Sequence, residues 1–198
     1  MVKERQLVVG EAKIHCLEAG DKKDPGILFL HGMKFSSQTW NDLGTLGFFE
    51  SKGFHPLAVD LPGFGKSDAL SMDPEAILQA LINNLELTKP FLVVPSFSGG
   101  YCLPVIADDP SRLSGFVAVA PTNIPDYAER LKGNPLPALA VWGSNDEIVS
   151  VENADLLCNC MTDIRKVVFK DAGHPCYLKE TDAFHRELLG FFRSVCEV

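Results

Sequence analysis

From Ile27 onward the chain alternates short, wholly apolar runs with segments whose apolar residues recur every three or four positions. The runs are Ile27 to Leu30, Phe91 to Val94, Gly115 to Ala120 and Ala138 to Gly143, and His55 to Asp60 and Lys166 to Phe169, polar only at their ends, read as two further strands. A strand that is apolar on both faces must be covered on both faces, as in the middle of a parallel sheet. Between the runs, three sets of residues are spaced as helix faces: Trp40, Leu43, Leu46 and Phe49; Ile77, Leu78, Leu81, Ile82 and Leu85; and Phe184, Leu188, Leu189, Phe191, Phe192 and Val195. Such alternation predicts an α/β chain, with a mostly parallel sheet and helices on both faces. Ahead of it, residues 2–9 and 12–18 read as an antiparallel edge hairpin around Gly10-Glu11.

The expectation is therefore a single α/β domain over residues 1–198. Within it, one helix should run from Trp40 to Ser51, with Gly53 as its stop. A second should start at Asp73-Pro74, with Asp73 as N-cap. Further helices are expected over Asn153–Cys160 and Asp182–Val195. The stretch 121–137 carries four prolines and no long apolar face, so it reads as a minimal cap or lid with a short helix near Asp126–Leu131.

Charge and cysteine usage exclude several functions. The net charge of −8 and pI of about 5.1 speak against nucleic acid or an anionic membrane as partner. No apolar run approaches the ~18 residues that span a bilayer, and the start, Met1-Val2-Lys3-Glu4-Arg5, leads into no apolar leader segment. The six cysteines are irregularly spaced, and Cys158-x-Cys160 lacks a second pair for zinc. They read as reduced thiols of a cytoplasmic protein, with no metal and no bound cofactor.

The chemistry concentrates where the run Phe91 to Val94 ends in Pro95-Ser96-Phe97-Ser98-Gly99-Gly100. Strand, sharp turn, then helix is the layout of a nucleophile elbow, which holds a serine hydroxyl exposed beside a base and oxyanion donors. Taking Gly100 and the small Ser96 as the residues two places either side of the tip makes Ser98 the nucleophile. His31-Gly32-Met33 follows the first parallel strand and is placed for an oxyanion hole, whose backbone donors would be the N–H groups of Met33 and Gly99. The side chain of His31 reads as a structural group that fixes this loop.

Two later loops supply partners. Gly143-Ser144-Asn145-Asp146-Glu147 puts an acid after the penultimate strand, and Asp171-Ala172-Gly173-His174-Pro175 puts a histidine after the last. Imidazole changes protonation near neutral pH, so His174 is the candidate base, with Asp146 orienting it. Glu147 is the rival acid, and Asp171 reads as a turn residue. His15, His55 and His185 lack comparable placement, and Cys176 reads as packing. The predicted triad is Ser98–Asp146–His174.

These residues also carry a resemblance. Through His31 to Trp40, Leu43-Gly44-Thr45-Leu46, Ser96-Phe97-Ser98-Gly99 and Gly173 to Leu178, the chain resembles the α/β-hydrolase superfamily from about Val8 to Val195. It is similar in particular to the CIB-like (interacting factor B) proteins. The segment Asp60-x-x-Gly63-x-Gly65-x-Ser67 suits that superfamily too; it is no P-loop, because Leu61 stands where the first glycine is needed. The resemblance implies an α/β-hydrolase fold and a serine hydrolase acting on small acyl esters or amides through an acyl-enzyme. It also raises transfer of an acetyl group from lysine to coenzyme A, and a protein-interaction role on the same fold.

Overall fold

The computed structural model describes residues 1–197. Eight strands form one sheet: β1 (Lys3–Val9), β2 (Ala12–Glu18), β3 (Gly26–Phe29), β4 (His55–Val59), β5 (Phe91–Pro95), β6 (Gly115–Val119), β7 (Ala138–Gly143) and β8 (Ile164–Phe169). Their order across the sheet is β1-β2-β4-β3-β5-β6-β7-β8. β1 and β2 form the expected antiparallel hairpin, β2 joins β4 antiparallel, and every pairing beyond is parallel.

The helices are α1 (Ser37–Asp42), α2 (Thr45–Glu50), α3 (Pro74–Asn84), α4 (Gly99–Asp108), α5 (Ile124–Tyr127), α6 (Glu152–Cys160), α7 (Cys176–Lys179) and α8 (Thr181–Cys196). Alternate residues of each central strand enter opposite cores, as strand geometry requires. Leu28, Leu57, Leu92, Val94, Ala118 and Ala140 pack under α3, α4 and α6. Ile27, Phe29, Phe91, Val93, Val117 and Leu139 pack under α1, α2 and α8. Each fully buried Leu, Ile or Phe in these layers contributes about 1.5–3 kcal/mol.

Two elements differ from the expectation. The helix read from Trp40 to Ser51 is two short helices, because Gly44 turns left-handed (φ 70°) between them. The break lets Trp40 face the core, where its indole N–H donates to the Leu30 carbonyl at 2.7 Å, while Phe49 joins Phe192 further along. The cap segment's helix is Ile124–Tyr127, a turn earlier than expected, with Pro125 near its start. Ile124 and Leu131 are buried in the core, so this segment is tied to the sheet at both ends. Other helix starts agree: Asp73 caps α3 by accepting the Glu75 N–H, with Pro74 in the first turn.

β3 is flanked by β4 on one side and β5 on the other, so successive connections leave it in opposite directions. A crevice opens beyond the carboxyl ends of strands at such a switch point. The loops after β3 and β5 border it.

Candidate active site

β5 ends at Pro95, and Ser96 takes the tip of the turn with φ 50°, a left-handed conformation that is costly for a residue bearing a Cβ. Residues Ser96–Ser98 form one 3-10 turn that runs straight into α4. The strain is held by the Thr122 N–H, which donates to the Ser96 carbonyl at 3.0 Å from the loop after β6.

His174, on the loop between β8 and α7, places Nε2 2.7 Å from the Ser96 hydroxyl. Its Nδ1 lies 2.8 Å from Oδ2 of Asp146. The Asp146 carboxylate is fully enclosed, and its other oxygen accepts the N–H groups of Ile148 and Val149, both at 2.9 Å. The loops bearing Asp146 and His174 are joined by the Asn145 N–H, which donates to the Ala172 carbonyl at 2.9 Å. Hydroxyl, imidazole and carboxylate thus stand in one hydrogen-bonded line, the arrangement in which an imidazole can draw a proton from a serine.

The serine in that line is Ser96, not the predicted Ser98, so the structure does not bring the predicted nucleophile to His174. Ser98 is completely buried, and its hydroxyl donates to the Pro95 carbonyl at 2.8 Å. The sequence argument rested on Gly100 being the small residue the turn demands, but a Cβ there would meet nothing within 4 Å. The demanding position is Gly99, where a Cβ would lie 2.4 Å from the Thr122 carbonyl oxygen. The elbow is therefore shifted two residues toward the strand. The available signal was strand length: Ser96 is the first residue after β5.

Of the two predicted oxyanion donors, Met33 and Gly99, only Met33 borders the crevice. The Gly99 N–H is turned back into the 3-10 turn, toward the Ser96 and Phe97 carbonyls. The N–H immediately after Ser96 belongs to Phe97. Met33 remains where it was expected, on the loop after β3 that borders the crevice. Asp146 and His174 stand together as predicted, while Glu147 and Asp171 are exposed.

His31 is buried, with Nδ1 2.8 Å from the Gly32 carbonyl. Its Nε2 accepts the Leu61 N–H at 2.9 Å. These partners define a neutral ring protonated on Nδ1, and burial lowers its pKa. The other histidines are tied elsewhere: His15 to Asp60, His55 to Glu18 and His185 to Thr45. Cys176 is buried behind His174, and burial pushes its thiol up to about 12, so it packs rather than reacts.

The crevice above Ser96 is a pocket of about 580 Å³, within the ~300–1,000 Å³ usual for small-molecule sites. Phe35, Phe97, Val119, Ile148 and Tyr177 give it apolar walls, and Lys34, Thr122 and Asn123 add polar points. These wall residues come from five separate segments of the chain, and nothing in the sequence singled most of them out. Among the described residues, no group of three or more metal-ligating side chains comes together.

Fold and site together define an α/β-hydrolase: the sequence pattern of the alpha/beta hydrolase family matches residues 27–146, and the chain belongs to that family. Among curated relatives, human ABHD14B, named provisionally as a protein-lysine deacylase, is 38% identical over 183 residues, covering 85% of this chain and 83% of its own. Mouse ABHD14A is 37% identical over 171 residues, covering 83% and 69%. Among solved structures, a CIB-like hydrolase from Thermoplasma acidophilum superposes with a TM-score of 0.92 over 98% of this chain and 99% of its own, at 21% identity. That last likeness is one of fold.

Two stability predictions follow from these environments. Gly99→Ala is expected to cost about 2–3 kcal/mol, because its methyl would overlap the Thr122 carbonyl. Gly100→Ala, one residue on in α4 with open space around it, is expected to be neutral or to stabilise by up to about 1 kcal/mol through helix propensity. Urea unfolding of the two variants measures the contrast.

Acid should also weaken the fold through its buried histidines. Burial lowers the pKa of His31 and of His185. The unfolded chain takes up protons at these rings near pH ~6.5 while the native chain resists, so below that pH stability falls. The urea midpoint is expected to drop as pH is lowered from about 7.5 to about 5. A His185→Gln variant should show a shallower drop; an identical slope would remove His185 from the account.

Proposed function

We propose that this chain is a metal-independent serine hydrolase that cleaves small acyl esters or amides through an acyl-enzyme on Ser96. The observation that carries the reading is the line from Ser96 Oγ through His174 to Asp146 at the floor of an apolar pocket. Ser96 Oγ attacks the acyl carbonyl as its proton passes to Nε2 of His174. Asp146 keeps the other ring nitrogen protonated and stabilises the imidazolium. The N–H groups of Met33 and Phe97 receive the oxyanion. Collapse expels the leaving group, which takes the proton from His174. Water then enters, gives a proton to His174 and attacks the acyl carbon; collapse breaks the bond from that carbon to Oγ, Ser96 leaves with the proton from His174, and the acid departs.

The apolar walls favour an uncharged acyl group, and residues 121–137 act as a minimal cap, with Thr122 and Asn123 at the rim. The six cysteines are free thiols, which suits a reducing, cytoplasmic setting. No described helix is long and apolar enough to cross a membrane.

A second reading is acyl transfer from lysine, with coenzyme A rather than water as acceptor. It is favoured by the provisional deacylase name of the human relative. A fluorophosphonate probe followed by peptide mapping tests the common core of both readings: the label is expected on Ser96. An unlabelled protein would leave neither reading standing. A panel of acyl esters of increasing length, run with and without coenzyme A, separates the two by whether a thioester forms.

A further inference from the structure

The Asp60-to-Ser67 loop has no part in the chemistry above, yet it is built around a buried carboxylate. Asp60 is 2% exposed. Its Oδ1 accepts the Ser37 N–H at 2.6 Å. Its Oδ2 accepts the Lys66 N–H at 2.8 Å and lies 3.0 Å from Nδ1 of His15. The backbone of Gly65 presses so closely that a Cβ there would sit 2.2 Å from Oδ2. Burial alone would raise the Asp60 pKa, but the N–H groups of Lys66 and Ser37 outweigh it and hold the carboxylate ionised.

One of these bonds, and one made by the residue after Asp60, reach the two ends of the loop that carries Met33. Ser37 is the first residue of α1 and closes that loop at its far end. At the near end, the next residue, Leu61, donates its N–H to His31, and His31 in turn holds the Gly32 carbonyl. The Phe35 N–H also donates to that carbonyl, at 3.0 Å. The Gly32 carbonyl and the Met33 N–H belong to one planar trans peptide, so they point in opposite directions. Holding the oxygen toward His31 and Phe35 therefore sets the direction of the Met33 N–H.

We propose that Asp60 is a positioning residue for the oxyanion donor at Met33, clamping the 32–37 loop through the Ser37 N–H while Leu61 holds its other end through His31. This inference rests on the serine-hydrolase reading. Asp60 touches no substrate; it acts through backbone geometry, and a misplaced donor weakens the transition state more than the bound substrate.

Two variants test it. Asp60→Asn keeps the shape but has one acceptor oxygen for two N–H donors. Ser37→Pro removes the N–H donor together with a buried hydroxyl 3.4 Å from Nδ1 of His15, so Ser37→Ala, which loses the hydroxyl and keeps the N–H, is its control; proline is tolerated at the first helical position, and the preceding Ser36 is already extended (φ −149°, ψ 179°). Both are read against the wild type and Ser96→Ala with a short-chain nitrophenyl ester. Expected is a fall in kcat of about tenfold or more with KM within about twofold. Affinity for a trifluoromethyl ketone, whose serine adduct carries an oxyanion, should fall in parallel. A folded Ser37→Pro with unchanged kcat and unchanged ketone affinity overturns the clamp, even if Asp60→Asn fails to fold. Wild type without esterase activity, by contrast, would remove the hydrolase reading itself.

Discussion

Replacing Ser96 by alanine is expected to lower hydrolysis of a short-chain nitrophenyl ester by about 10⁴-fold or more. Ser98→Ala should stay within about threefold of wild type, since it removes one neutral hydrogen bond worth about 1 kcal/mol. The two serines differ by two positions and by everything that matters chemically. Ser96 meets His174 at 2.7 Å at the floor of the pocket, whereas Ser98 is sealed in the turn with its proton committed to the Pro95 carbonyl. Steady-state rates with both variants, each shown folded by its thermal transition, decide the assignment. If Ser98→Ala were the dead variant and Ser96→Ala the active one, the hydrogen-bonded line would not be the catalytic one.

Asp146→Asn should be the next most damaging change, with kcat lowered by about 10³- to 10⁴-fold. The amide can still accept the Ile148 and Val149 N–H groups through its oxygen, so the loop is expected to keep its shape. It then turns its NH₂ toward Nδ1 of His174. That nitrogen must become an acceptor, Nε2 must carry the ring proton, and the ring can no longer take the proton of Ser96. Glu147→Gln, on an exposed neighbour, should leave kcat within about twofold. A large loss in Glu147→Gln with a small one in Asp146→Asn would reverse the choice of acid.

Both assignments show where sequence reading was sufficient and where it slipped. The parallel strands were legible because a strand buried on both faces must be apolar throughout, and Leu28, Leu92 and Ala118 lie inside where their runs suggested. Asp146 and His174 were legible because each follows a strand whose end faces the crevice. The serine was not, because two serines and two glycines stand within five residues. Choosing among them needs the φ of Ser96 and the clearance around Gly99 and Gly100. The break in the Trp40–Ser51 helix was missed for a similar reason: Gly44 is tolerable within a helical pattern, and its left-handed turn accompanies the packing of Trp40 and Phe49 on the same Phe29 in one core layer.

The sequence by itself determined the sheet, its hairpin edge, the helices on its two faces, and the acid and base loops, since hydrophobic period and strand ends are local properties of the chain. Only the tertiary structure decided which hydroxyl meets His174, which N–H groups border the pocket, and that Asp60 braces the Met33 loop. Those outcomes depend on distances of about 3 Å between residues far apart in the chain, and hydrogen bonds lose their strength within a few tenths of an ångström of that separation.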